Sequence, residues 1–183
     1  MGMDKKEFWR LIDSTHKDSA GDQDLQEAML ISRLEKYTPE EIIEFECIMR
    51  EYLIEADDFT MMAAQKIIEG WVTDDPYLYF RCWLIGQGES TFTEALRNPD
   101  VLADLVEDDV EYLDFEPLLY VATQTYEQRT GQQEDDDDNN SFPRNAASER
   151  GLSYDFGSIT KGEDWTEEQL PTLLPRLWAK FNT

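Results

Sequence analysis

The stretch Thr38-Pro39-Glu40-Glu41-Ile42-Ile43-Glu44-Phe45-Glu46-Cys47-Ile48-Met49-Arg50-Glu51-Tyr52-Leu53 decides the fold class. Its first four residues spell a helix start. Thr38 offers a hydroxyl to a free amide of the first turn, Pro39 lacks the N–H that would go unused there, and Glu41 reaches back to the Thr38 amide. Behind them Ile42, Phe45, Met49, Tyr52, Leu53 and Ala56 recur three and four apart, which gathers them on one helical face.

The same reading extends in both directions. Toward the N-terminus, Phe8, Leu11 and Ile12 mark a helix over about 4–13, and Leu30, Leu34 and Tyr37 mark another. Toward the C-terminus, a helix over 60–69 stops at Gly70, and Asp75-Pro76 opens one that buries Tyr77, Phe80, Leu84 and Ile85 before Gly86 or Gly88 closes it. Thr91-Phe92-Thr93-Glu94 reads as a second capping box, Asn98-Pro99 starts a helix through Leu105, and Leu118, Leu119, Ala122 and Tyr126 give one ending at Gly131.

Beyond Gly131 the character changes. Residues 132–150 hold the unbroken acidic run Glu134 to Asp138 and little apolar content, and are expected to form a mobile loop. Leu152 to Phe156 alternates briefly, the pattern of one short strand pair. Thr166-Glu167-Glu168-Gln169 is a third capping box with Trp165 and Leu170 placed as its staple, and Leu174, Leu177, Trp178 and Phe181 mark a last helix after Pro175. The expectation is a mainly α protein: one compact domain of about seven to nine helices over 1–183, with 151–183 docking back on its core.

Composition sets limits on function. The chain carries 41 acidic and 16 basic residues, a net charge of −25. Such a surface repels phosphate, so direct nucleic-acid binding and anionic membranes are excluded as partners. The excess is uneven: between Asn98 and Ser141 stand 14 acidic residues and one basic residue, Arg129, a net −13. No segment approaches the ~20 apolar residues of a membrane span, and the N-terminus leads into no signal-peptide core. Cys47 and Cys82 each lie in an apolar-periodic segment and read as reduced core thiols. The expected location is the cytoplasm.

The search for chemistry mostly closes doors. A single histidine, His16, rules out paired-histidine metal sites, and no G-x-S-x-G elbow accompanies it. Gly86-Gln87-Gly88 follows a helix, lacks a third glycine and reads as a terminator, not as a nucleotide fingerprint. A calcium loop starting at Asp135, Asp137 and Asn139 fails, because Asn140 stands where the turn glycine belongs and Ala146 where the bidentate glutamate belongs. No metal or cofactor is expected. The one structured polar cluster is Asp74, Asp75, Tyr79, Arg81, Trp83 and Gln87. Asp74 and Arg81 are two helical turns apart and so placed for an ion pair, and an arginine among aromatics suits an anionic ligand.

Phe8-Trp9 with Leu11-Ile12-Asp13, then Asp74-Asp75 with Tyr79-Phe80-Arg81, Trp83-Leu84-Ile85 and Gln87-Gly88, then Asn98-Pro99-Asp100 and Leu119-Tyr120-Val121-Ala122, resemble the bacterial domain-of-unknown-function family 4240. The likeness runs from about Met3 to Gly131. It implies one helical domain and carries no activity and no catalytic residues. The leading expectation for function is a noncatalytic domain whose acidic face docks on a basic protein, as an immunity-type inhibitor or a mimic of nucleic-acid charge would. The alternative is a small anionic-ligand binder, or an enzyme of unfamiliar type, built on Arg81, Trp83 and Gln87.

Overall fold

The computed structural model describes residues 2–133, 142–154 and 159–182. They hold ten α-helices and three short 3-10 segments, slightly more pieces than the sequence pattern resolves. The helices are α1 (Lys5–Ser19), α2 (Gln23–Leu34), α3 (Pro39–Glu55), α4 (Phe59–Glu69), α5 (Asp74–Gly86), α6 (Glu89–Arg97), α7 (Val121–Thr130), α8 (Pro143–Glu149), α9 (Leu170–Leu173) and α10 (Pro175–Phe181).

The α3 helix forms for the reasons its sequence states. The Thr38 hydroxyl accepts from the Glu41 amide, and the Glu41 carboxylate accepts from the Thr38 amide at 2.9 Å. The helix then packs against α1, α5, α7 and α8 and is buried far beyond one face. Ile42, Phe45, Met49 and Leu53 are fully enclosed, and so is Glu46. A helix surrounded this way lies at the centre of the protein, not on its surface. The α5 helix is its second axis, with Tyr77, Phe80, Cys82, Leu84 and Ile85 buried in the same continuous apolar cluster.

Glycine is required at three joints. Gly70 ends α4 at φ +84° and turns the chain outward. Gly86 lies so close to the buried Phe115 ring that an added Cβ would meet its Cδ1 at 2.7 Å. Gly88, at φ +104°, starts α6, and the Glu89 amide there donates to Asp13 Oδ1 at 2.8 Å, so α1 caps α6 from outside the helix. The capping box expected at Thr91 is therefore not the helix start, and Thr91 lies inside α6.

The C-terminal segment lies on the core. Leu170, Leu174 and Leu177 are buried, and α10 packs on α4 and on the 3-10 segment Pro99–Asp104. The buried Asp100 caps α10, accepting from the Arg176 amide at 3.0 Å and the Leu177 amide at 2.8 Å. Trp165 donates from its indole N–H to the Phe59 carbonyl at 2.7 Å, tying the incoming chain to the start of α4.

Two expectations change. Residues 143–149 are helical where a loop was expected: Phe142 and Ala147 reach the interior, and Pro143 opens the first turn. The run Glu134–Asp138, with the first positions of the rejected calcium loop, lies outside the described residues. There is no strand among the described residues, only an isolated bridge between Asp58 and Lys161. Leu152–Tyr154 are irregular backbone, and residues 155 and 156 of the expected strand lie outside the described set. No helix among the described residues is long and apolar enough to cross a membrane.

Candidate functional site

The six residues singled out on α5 do not converge. Asp74 and Asp75 sit in the exposed first turn, Tyr79 and Gln87 are half-buried, and Arg81 and Trp83 point into the interior. Only 4% of Arg81 is exposed. Its Nη1 donates to the Leu53 carbonyl at 2.7 Å and lies 4.0 Å from Asp57 Oδ2, while its guanidinium stacks 4.5 Å from the centre of the Tyr77 ring. The carboxylate partner is thus Asp57, at the end of α3, and not Asp74. Trp83 stacks on Phe80 at 5.8 Å between ring centres and belongs to the core. Arg81 therefore offers an external anion no outward-facing donor, and its Nε is buried without a hydrogen bond.

A second enclosed arginine repeats the arrangement. Arg50 Nε donates to Glu46 Oε1 at 2.7 Å, its Nη1 donates to the Leu152 carbonyl at 2.9 Å, and its guanidinium lies 4.8 Å from the Tyr154 ring centre. Glu46 is fully buried and Arg50 is 5% exposed. Each arginine thus meets one aromatic face, one carboxylate and one carbonyl, more closely at Arg50 than at Arg81. The irregular segment Leu152–Tyr154 is held to α3 by this contact.

A groove of about 690 Å³ opens between α1 and the start of α6, lined by Asp4, Glu7, Arg10, Asp13, Tyr37 and Glu89 among others. Glu7, Arg10 and Tyr37 are engaged with one another. Glu7 accepts from Arg10 Nε at 2.8 Å and from the Tyr37 hydroxyl. These hydrogen bonds, Arg10 first, pull its carboxyl down to about 2. Asp4 and Asp13 each cap a helix amide, of Glu7 and Glu89. These carboxylates hold the fold together.

The outward chemistry lies elsewhere, on the segment from Asp104 to Glu116. Asp104, Glu107, Asp108, Asp109, Glu111 and Asp114 are all exposed. Arg176 pairs with Asp104 and Lys180 with Asp108, at 3.2 Å for the latter. Glu107, Asp109, Glu111 and Asp114 have no salt bridge to a described residue. Two large rings join this edge: Trp71 is 40% and Tyr112 55% exposed, their centres 6.4 Å apart in an edge-to-face pair. The sequence places the acidic charge here but gives no sign of the Trp71–Tyr112 pairing. The residues lie on two separate segments, and single exposed aromatics carry no periodic signal.

The fold and the site together define an all-helical domain with a closed ionic interior and an open acidic edge. The chain belongs to a family described as a protein of unknown function, DUF4240, matched over residues 3–128. No curated protein and no solved structure matches it.

Proposed function

We propose that this protein is a noncatalytic interaction domain whose acidic edge docks on a basic protein, in the manner of an immunity-type inhibitor or a charge mimic, and that it acts in the cytoplasm. One observation carries the reading: four carboxylates within eight residues, Glu107, Asp109, Glu111 and Asp114, face solvent without a cation from the described residues. An uncompensated single-sign edge raises the encounter rate with an oppositely charged surface and repels like-charged ones. The enclosure of Arg81 favours this over an anionic-ligand site, because an anion would have to displace Asp57 and the Leu53 carbonyl to reach the guanidinium. The cytoplasmic assignment is supported by two free, buried cysteines, whose thiols burial pushes up, Cys47 to about 11.

The test is capture from an extract of the source organism, followed by identification, purification and titration of whatever is retained. A basic protein should bind at about 50 mM salt and weaken at least tenfold by about 500 mM, because screening shortens the reach of surface charge. An extract yielding no basic protein at low salt would overturn the reading.

A further inference from the structure

The corner formed by Trp71 and Tyr112 is built, not incidental. Gly70 turns the chain out of α4 just before Trp71, and its carbonyl is held by the Lys66 ammonium at 2.9 Å. On the other side, the Leu113 amide donates to Glu69 Oε1 at 2.9 Å and the Phe115 amide to the Tyr79 carbonyl at 3.2 Å. Leu113 and Phe115 are buried, so the anchoring leaves Tyr112 and Asp114 outside. Both rings thus stand on fixed backbone, which lowers the ordering cost of anything that binds them.

The interior shows what this chain does with arginine: a ring face and a carboxylate, twice, at 4.5 and 4.8 Å from guanidinium to ring centre. The corner presents two rings and the carboxylates of Glu111 and Asp114 in the same neighbourhood. Among the described residues the cations that cover rings sit on Tyr52, Tyr77, Tyr120, Tyr154 and Phe181, not here. Lys66, the cation on the adjoining turn, is engaged with Gly70 and with Glu167 at 3.2 Å.

We propose that the Trp71–Tyr112 corner receives an arginine-bearing segment of the basic partner, with a guanidinium against the two rings and Glu111 and Asp114 holding its edge. This rests on the reading of a basic partner given above and adds where and through which residue type it binds. Guanidinium suits the place better than ammonium because it is planar, stacks on aromatic faces and is more weakly hydrated.

The probe is a short glycine–arginine repeat peptide, with its arginine→citrulline counterpart as the neutral isostere, titrated into the full chain at low salt. The readout is the indole N–H resonance of Trp71, assigned by its loss in Trp71→Phe. The arginine peptide should shift that resonance saturably and the citrulline peptide should not. Affinity, read for every variant by titration calorimetry because the aromatic double variant lacks the reporter indole, should fall about fivefold in Trp71→Ala/Tyr112→Ala and severalfold in Glu111→Gln/Asp114→Asn, while Glu35→Gln/Glu40→Gln leaves it unchanged. A thermal melt of each variant separates lost binding from lost fold, and the resonance shift in the unaltered chain needs no variant. Equal affinity in the aromatic double variant, or no shift of the Trp71 resonance, would overturn the corner while leaving the basic-partner reading intact. That reading fails separately, on the extract.

Discussion

The interior and the outer edge use the same residue types to opposite effect. Inside, Arg50 and Arg81 are each matched to a carboxylate, a ring and a carbonyl, and the charges are closed to solvent. Outside, Glu107, Asp109, Glu111 and Asp114 and the rings of Trp71 and Tyr112 stand without a cation from the described residues. The interior pairs specify how α3, α5 and the segment after α8 fit together, since a buried charge tolerates only its partner. The edge specifies nothing about the fold, and its residues can change without unfolding it. Stability and recognition are thereby assigned to separate parts of one acidic chain.

The largest effect comes from opening an interior pair. Arg50→Met leaves Glu46 buried without its cation and should cost about 3–5 kcal/mol, read as a lowered urea midpoint. Arg50→Met combined with Glu46→Leu should recover most of that loss, because no orphaned charge remains. Gly86→Ala comes next, at about 1–3 kcal/mol, since the new Cβ at 2.7 Å forces the buried Phe115 ring to move. Phe115→Leu should relieve part of the clash.

Acid sharpens the contrast further. The Glu7 carboxyl is held down to about 2, so its stabilising contribution is present above the ordinary carboxylate range and is lost as the pH falls toward 2. Glu69 is raised by burial, partly offset by its bonds from Leu113 and Gln65, so its contribution has the opposite sign. That contribution is fully present at low pH and lost as the pH rises through the raised value. Melting curves from pH 2 to 7 should therefore be flattened at the acid end by Glu7→Gln, and show a smaller decline above the ordinary range in Glu69→Gln. The smallest effect belongs to the edge: Glu107→Gln/Asp109→Asn should leave the unfolding free energy within about 0.5 kcal/mol of the original. The same variant should slow association with a basic partner, measured by stopped flow.

What the sequence revealed follows the same division. Local signals were readable: the Thr38–Glu41 box, Gly70 and Gly131 as helix ends, and the apolar face of α3, because caps and periodicity act within a few residues. The partner of Arg81 was not. Helical geometry pointed to Asp74, seven residues back on α5, whereas Asp57 reaches Arg81 only through the packing of α3 on α5. Glu46 and Arg50, four apart inside an apolar run, were the missed sign of a buried pair. The alternation at Leu152–Phe156 suggested a strand, but its described part is shaped by one arginine gripping a carbonyl and a ring. The short α8 carried too few apolar residues to register, and Pro143 was the available clue.

Asp100, which caps α10, sets a lower limit on what must be kept together. The family match ends at residue 128, yet Leu170, Leu174 and Leu177 complete the apolar cluster, and the Arg176 and Leu177 amides donate to a buried carboxylate. A polypeptide cut at the family boundary would bare the flank of α4 and strand Asp100 in a half-dry crevice. The cooperative unit is therefore longer than the unit by which kinship is recognised.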